Sequence, residues 1–197
     1  MANKNRGGFW PVGTMSGSPW QGSVKRFGHG LAEQGVIGVG DMLTLSTTGN
    51  VNYAVAATKF LIGSMVSKEV VGKPRPIGTA MALSGQDSVD LTRKHVTTKE
   101  NTFVYVCTAP DAIYEVEAYN GTPFLPNIGS TCNLIFQAAS TTTGMSQMVV
   151  DIGDVSASNA GKFKIVGIVE RADNEAASNM KILVMVNEHL FNAPTGI

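Results

Sequence analysis

The sequence is poor in charged residues, which bounds the partners it can have. Asp, Glu, Lys and Arg make up 15% of the 197 residues, against about 25% in a typical soluble domain. Fifteen basic and fifteen acidic side chains cancel, so no overall field attracts nucleic acid or an anionic membrane. Residues 118–150 contain no charge, but prolines, asparagines and a Ser/Thr cluster interrupt them and argue against a membrane span. We therefore expect neither nucleic acid nor a membrane as a partner.

Histidine and cysteine are also scarce, which argues against a catalytic or metal centre. The three histidines are far apart and lack metal-ligand spacing, so we interpret His29, His95 and His189 as surface or capping residues. Cys107 and Cys132 lie in apolar strand segments, which favours buried free thiols over a disulfide. The sequence predicts no catalytic residue, no cofactor and no metal.

Two further motifs fall short of a binding site. Residues 35–40 (Gly-Val-Ile-Gly-Val-Gly) superficially resemble a nucleotide-binding loop, but the spacing is wrong and no Lys-Ser/Thr follows. Glycines in a strand more often permit a bulge or close backbone contact. Asp151 and Asp154 lack the oxygen-rich loop of a calcium site. We therefore expect a protein without enzymatic activity.

The first thirty residues differ from the rest of the chain. They contain no acidic residue, whereas residues 31–197 carry a net charge of −4. Glycines and prolines are so closely spaced that no helical or strand period survives. Residues 1–30 are therefore predicted to be an extended arm with aromatic and basic anchors that contact a partner. The predicted anchors are Arg6, Phe9, Trp10, Trp20, Lys25, Arg26 and Phe27.

Aromatic anchors alone cannot order such an arm. Burying four of them gains roughly 15–25 kcal/mol at most, whereas fixing about thirty backbone residues costs roughly 1–2 kcal/mol each. The arm therefore either forms many backbone hydrogen bonds, along its own domain or a neighbouring chain, or stays loose until a partner arrives. A frayed terminus is the simpler alternative, but two tryptophans are an unusual choice for one.

Residues 31–197 are predicted to form a strand-rich body. Short apolar runs alternate with turn residues, and no window shows convincing helical spacing with caps. The predicted hairpins pair residues 43–45 with 51–55, 103–107 with 113–118, and 163–169 with 180–186. In the second hairpin, Tyr114, Val116 and Ala118 are expected to face the core, and Glu115 and Glu117 to face water.

The fold class that follows is all-β, with a barrel or sandwich body and an extended N-terminal arm. Lys73-Pro74-Arg75-Pro76 interrupts regular structure. A break near 72–77 would divide the body into two small subdomains, so one domain and two remain open.

The order of several motifs resembles that of tailed-bacteriophage virion structural proteins, the kind that decorate or cement an icosahedral head. The matching stretches are Gly8–Val12, Ser16–Trp20, Val104–Val106, Pro110–Val116, Asn127–Gly129, Thr143–Ser146, Phe163–Val169 and Asn179–His189. Lys73-Pro74-Arg75-Pro76 departs from the family pattern.

This resemblance implies a non-enzymatic protein on the capsid exterior, made in the host bacterial cytoplasm and present in many copies. Its implied partners are the major capsid protein and other copies of itself, as a dimer or trimer. It would stabilise the contacts between capsid subunits. The alternative is a receptor- or glycan-binding β-module of a virion appendage, for which Tyr53, Tyr114 and Tyr119 are the candidate platform.

Overall fold

The structure is nearly all β, as the sequence predicts. The computed structural model describes residues 7–22, 24–29, 36–55, 58, 60–68, 95–96, 102–122, 125–157, 161–177 and 179–192, and the strands and turns described lie within these ranges. The strands are β1 (Trp10–Thr14), β2 (Lys25–His29), β3 (Ile37–Gly38), β4 (Met42–Leu45), β5 (Val51–Tyr53), β6 (Gly63–Lys68), β7 (His95–Val96), β8 (Thr102–Cys107), β9 (Ala112–Tyr119), β10 (Thr131–Ile135), β11 (Val149–Ser156), β12 (Phe163–Ile168) and β13 (Lys181–Val186). Two 3-10 turns span Leu125–Asn127 and Leu190–Asn192.

Five strands close into a barrel in the order β9-β11-β10-β12-β13, with β13 pairing back onto β9. Neighbours are antiparallel except β9 and β11, which run parallel. β9 alternates as predicted, since Tyr114, Val116 and Ala118 are buried in the barrel core. β1 pairs with the part of the β9 edge that β11 leaves uncovered. The prediction of an all-β barrel or sandwich body is therefore confirmed, and the structure has a barrel.

A second, antiparallel sheet has the strand order β2-β8-β6-β4-β5. The sheet curls so that its two edge strands, β2 and β5, approach each other. Gly28 of β2 lies so close to Asn50, next to β5, that an added Cβ would be only 2.8 Å from Asn50 Oδ1. The short pair β3–β7 contributes Ile37 and Val96 to the core of this sheet. That core consists of Ile37, Leu43, Val51, Ile62, Met65, Val96, Val104 and Val106.

Two of the three predicted hairpins are confirmed, and the third is wrong. β4 pairs with β5, and β12 pairs with β13. β8 and β9 form as strands around a Pro110-Asp111 turn, but they do not pair with each other. β8 pairs with β2 and β6, whereas β9 belongs to the barrel. Residue alternation identifies a strand but not its partner, and this turn carries the chain from one sheet to the other.

The N-terminal segment is extended, but its described part does not stand apart from the body. β1 pairs with β9, and β2 pairs with β8. Phe9 is fully buried, and its ring stacks on Phe163 with 4.7 Å between centroids. Backbone hydrogen bonding along its own domain is thus the way in which this segment is ordered. The strands escaped the sequence pattern because Pro11 and Gly13 interrupt β1 and Gly28 interrupts β2.

The buried cysteines agree with the sequence prediction, whereas two of the three histidines do not. Cys107 and Cys132 are buried free thiols, as predicted, and burial raises the pKa of Cys132 to about 12. The interpretation of His29 and His95 as surface residues is wrong, because both are buried in strands. His189 is also buried, yet it has the predicted capping role, since its Nδ1 accepts a backbone N–H of the following 3-10 turn at 3.2 Å.

Some sequence predictions fall on parts of the chain that the structure does not describe. The anchor Arg6 lies outside the described residues, and so does Lys73-Pro74-Arg75-Pro76. The break near 72–77, and the division of the body into two subdomains, therefore stay predictions.

A buried carboxylate lies where three chain segments meet. Phe9 N–H donates to Gly40 O at 2.8 Å, and Ser146 N–H donates to Val39 O at 2.9 Å. Asp41 lies at this junction with no exposed surface, and burial raises its pKa from 3.8 to about 6. A hydrogen bond from Gly38 N–H to Oδ2 at 2.8 Å, together with the nearby Ser146 hydroxyl, offsets that rise only partly.

We expect Asp41→Asn to remove a pH-dependent loss of stability. The folded protein binds the Asp41 proton more tightly than the unfolded chain does, so this group's contribution falls as the pH rises from about 4 to about 6. Above that window the penalty is constant at about 3 kcal/mol. Urea unfolding of both proteins at pH 4 to 7 should show that the free energy of unfolding of the variant rises relative to that of the wild type as the pH rises. The difference reports on Asp41, because the other titrating groups are the same in both proteins. A pH-independent difference would contradict this assignment.

Candidate partner-binding surface

Two of the predicted basic anchors lie on strand β2, at the edge of the second sheet. Lys25 and Arg26 are exposed and oppose Val106 and Tyr105 of β8. Because side chains alternate along a strand, Arg26 lies on the opposite face from Lys25 and Phe27. The edge of the sheet therefore carries one cation on each side.

Each cation lies close to an aromatic ring. Arg26 Cζ is 3.4 Å from the centroid of Phe103, and Lys25 Nζ is 5.2 Å from the centroid of Phe191. The Phe191 ring also stacks on Phe27 at 6.5 Å. Phe103 and Phe191 remain 37% and 48% exposed, which leaves apolar surface for a partner. We call these five residues, Lys25, Arg26, Phe27, Phe103 and Phe191, the β2 surface.

The C-terminal segment brings Phe191 from the barrel to strand β2. Leu61 N–H donates to Glu188 O at 3.0 Å, and Leu190 N–H donates to Leu61 O at 2.8 Å. These two bonds fix the segment beside the chain that leads into β6. The 3-10 turn Leu190–Asn192 then places the Phe191 ring against Phe27.

The β2 surface combines exposed aromatic area with positive charge. A cation beside an aromatic ring gains about 0.5–1 kcal/mol at an exposed site, which helps to hold these long side chains in place. Exposed aromatic residues are typical anchors of protein interfaces, and charge steers the partner that approaches them. Because Phe103 and Phe191 lie on opposite faces of the sheet, the surface suits a protein partner that contacts the edge of β2 from both sides with apolar and acidic residues.

The remaining anchors are not part of this surface. The prediction that Phe9 contacts a partner is wrong, because its ring is fully buried. Trp10 and Trp20 are half-buried on the barrel, where Trp20 packs against the core. Sequence reasoning missed Phe103 and Phe191. The alternation of aromatic residues with buried valines in β8 could have identified Phe103, whereas nothing local indicated Phe191.

A groove of about 310 Å³ opens on the outer face of the barrel beside Trp10, and we call it the Trp10 groove. It is lined by Trp10, Glu115, Val116, Met145, Arg171 and Lys181. Arg171 donates two hydrogen bonds of 2.9 Å to the carboxylate of Glu115, which raises the pKa of Arg171. Lys181 Nζ donates to Glu117 Oε2 at 2.9 Å, and both side chains are buried. The prediction that Glu117 faces water is therefore wrong.

Within the described residues, no three His, Cys, Asp or Glu side chains form a group that could hold a metal ion. No helix in the same part of the chain is long and apolar enough to cross a membrane. Comparisons with protein-family models, with curated proteins and with solved structures found no match.

Proposed function

We propose that this chain is a non-enzymatic virion structural protein that binds the outside of an icosahedral phage head and stabilises contacts between major capsid subunits. The order of its motifs, which resembles that of decoration and cement proteins, supports the proposal. The observation that carries it furthest is the β2 surface, where exposed Phe103 and Phe191 accompany Lys25 and Arg26.

In this proposal the β2 surface faces the capsid. The exposed rings of Phe103 and Phe191 supply apolar contact area, and the two cations favour an acidic capsid surface. Ion pairs at such a rim change the association rate and its salt dependence more than they hold the complex together. Several copies of the chain joined as a dimer or trimer would add avidity, because neighbouring capsid subunits repeat the same contact.

Reversing the charge of the β2 surface is expected to weaken attachment to heads. The double variant Lys25→Glu/Arg26→Glu should bind empty heads assembled without this chain at least about tenfold more weakly than the wild type, or 1.4 kcal/mol. Wild-type affinity should also fall with added salt, because exposed charges are screened. Co-sedimentation of the purified protein with heads, over a range of concentrations, measures both effects.

The matched control is Lys164→Glu, which reverses an exposed lysine on barrel strand β12. It should bind heads as the wild type does. Equal binding by the double variant and this control would contradict a role for the β2 surface, and no binding of the wild type to heads would contradict the function itself.

One observation favours the alternative, a receptor- or glycan-binding module. Tyr114 is fully buried and Tyr53 is half-buried against Phe136, so neither forms an exposed platform. Tyr119, however, is 46% exposed beside a cavity of about 300 Å³ that Asn179 also lines. This alternative would be favoured if the protein bound glycans on an array but did not bind phage heads, and if Tyr119→Ala abolished the glycan binding.

A further inference from the structure

We propose that the Trp10 groove binds a neutral saccharide, a function separate from attachment through the β2 surface. Its volume of about 310 Å³ is at the lower end of small-molecule sites, which fits a small ring compound. Trp10 supplies an aromatic wall, and its indole N–H donates to Gly7 O at 3.3 Å, which restrains the ring. The apolar C–H face of a sugar ring can pack on such a wall and leave its hydroxyl groups to the polar side.

Every charged side chain that lines the groove is already paired, which favours a neutral ligand. Arg171 is paired with Glu115 and Asp173, and Lys181 is paired with Glu117. A charged ligand would have to compete with one member of a pair and leave the other uncompensated. Hydroxyl groups both donate and accept hydrogen bonds, so a sugar can bind carboxylate and guanidinium together without breaking either pair.

The buried ion pair beside the groove is not explained by stability alone. The Lys181 and Glu117 side chains are only 10% and 1% exposed, although they lie on the outer face of the barrel. Buried ion pairs commonly contribute no more to stability than apolar residues of similar size. This pair fixes the position of the Lys181 side chain, which lines the groove.

The loop that carries Arg171 is held in place before any ligand binds. Asn174 Nδ2 donates to Val169 O at 2.7 Å and to Lys181 O at 2.9 Å, and its Oδ1 accepts Lys181 N–H at 2.6 Å. Two of these bonds join the loop to β13, and the third ties it to its own first residue, Val169. A preorganised polar wall loses less entropy when a ligand binds, which favours affinity.

The test uses methyl glycosides of glucose, galactose, mannose and N-acetylglucosamine, in both anomeric forms, with the full chain. Saturation-transfer NMR detects binding and isothermal titration measures it. At least one neutral glycoside should bind, and glucuronate and glucosamine, as charged counterparts, should bind at least about tenfold more weakly. Trp10→Leu and Arg171→Gln should each weaken binding at least about tenfold. Arg171 is half-exposed on a loop, so its variant keeps the test valid if Trp10→Leu fails to fold.

The controls are Trp20→Leu, which changes the other tryptophan, and Tyr119→Ala, which changes the cavity that Asn179 also lines. Both should bind the glycoside as the wild type does. The proposal is overturned if no neutral glycoside binds at millimolar concentration, or if a charged counterpart binds more tightly. It is equally overturned if binding survives both groove variants or depends on Tyr119.

Discussion

Gly63→Ala is expected to prevent the chain from reaching its native fold. Gly63 begins β6 with φ of +124°, a conformation that an alanine rarely adopts, and a Cβ there would lie 1.7 Å from Cys107 O. The obstacle is backbone, and the same carbonyl accepts the Tyr114 hydroxyl at 3.2 Å. Relief would therefore require β6 and β8 to separate. We expect a loss of more than about 4 kcal/mol, in the range where single substitutions unfold a domain.

The matched control for this prediction is Gly17→Ala. Gly17 also has positive φ, at +85°, but no atom would lie within 4 Å of an added Cβ. This substitution should cost only about 1 kcal/mol, from backbone strain alone. Urea unfolding of both variants separates the clash from the strain. Similar losses in the two variants would show that the close approach of β6 to β8 is not as described.

Phe9→Ala is expected to destabilise the protein by about 3–5 kcal/mol. Phe9 has no exposed surface, stacks on Phe163 at 4.7 Å and meets Tyr114 edge-on at 6.4 Å. Truncation would leave a cavity in the barrel core beside β1. Met15→Ala, in the exposed turn after β1, is the control and should change stability by no more than about 0.5 kcal/mol. Denaturant unfolding measures both.

This prediction separates a core residue from a partner anchor. If Phe9 belonged to an arm that is ordered only on the capsid, Phe9→Ala would weaken attachment to heads and leave the unfolding of the free protein unchanged. That result would contradict the fold described above. Deleting residues 1–30 cannot make the distinction, because it removes β1 and β2 and so disturbs both sheets.

The sequence predicted those parts of the fold that depend on neighbours in the chain. The β4–β5 hairpin was readable because a Thr-Thr-Gly-Asn turn joins two alternating runs, and Gly49 does adopt positive φ there. The β12–β13 pair was readable from two matched apolar runs. The pairing partners of β8 and β9 could not be predicted from the sequence. Their pairing with β2, β6, β11 and β13 depends on contacts between residues far apart in sequence.

The candidate site was predictable to a similar extent. Lys25, Arg26 and Phe27 were predicted from composition, because cations and aromatic residues concentrate in a stretch without acidic residues. Phe191 joins them only through the path of the C-terminal segment. Glu117 was assigned to solvent by alternation, which correctly places it on the outer face. Alternation could not show that a buried partner, Lys181, lies beside it.

A reconstruction by electron microscopy of phage heads saturated with this protein tests the proposed function most directly. Ordered density should appear on the head exterior at the junctions between major capsid subunits. In that density strand β2, with Phe103 and Phe191, should face the capsid surface. A saturated head with no added density, or with the edge of β2 turned toward solvent, would contradict the account.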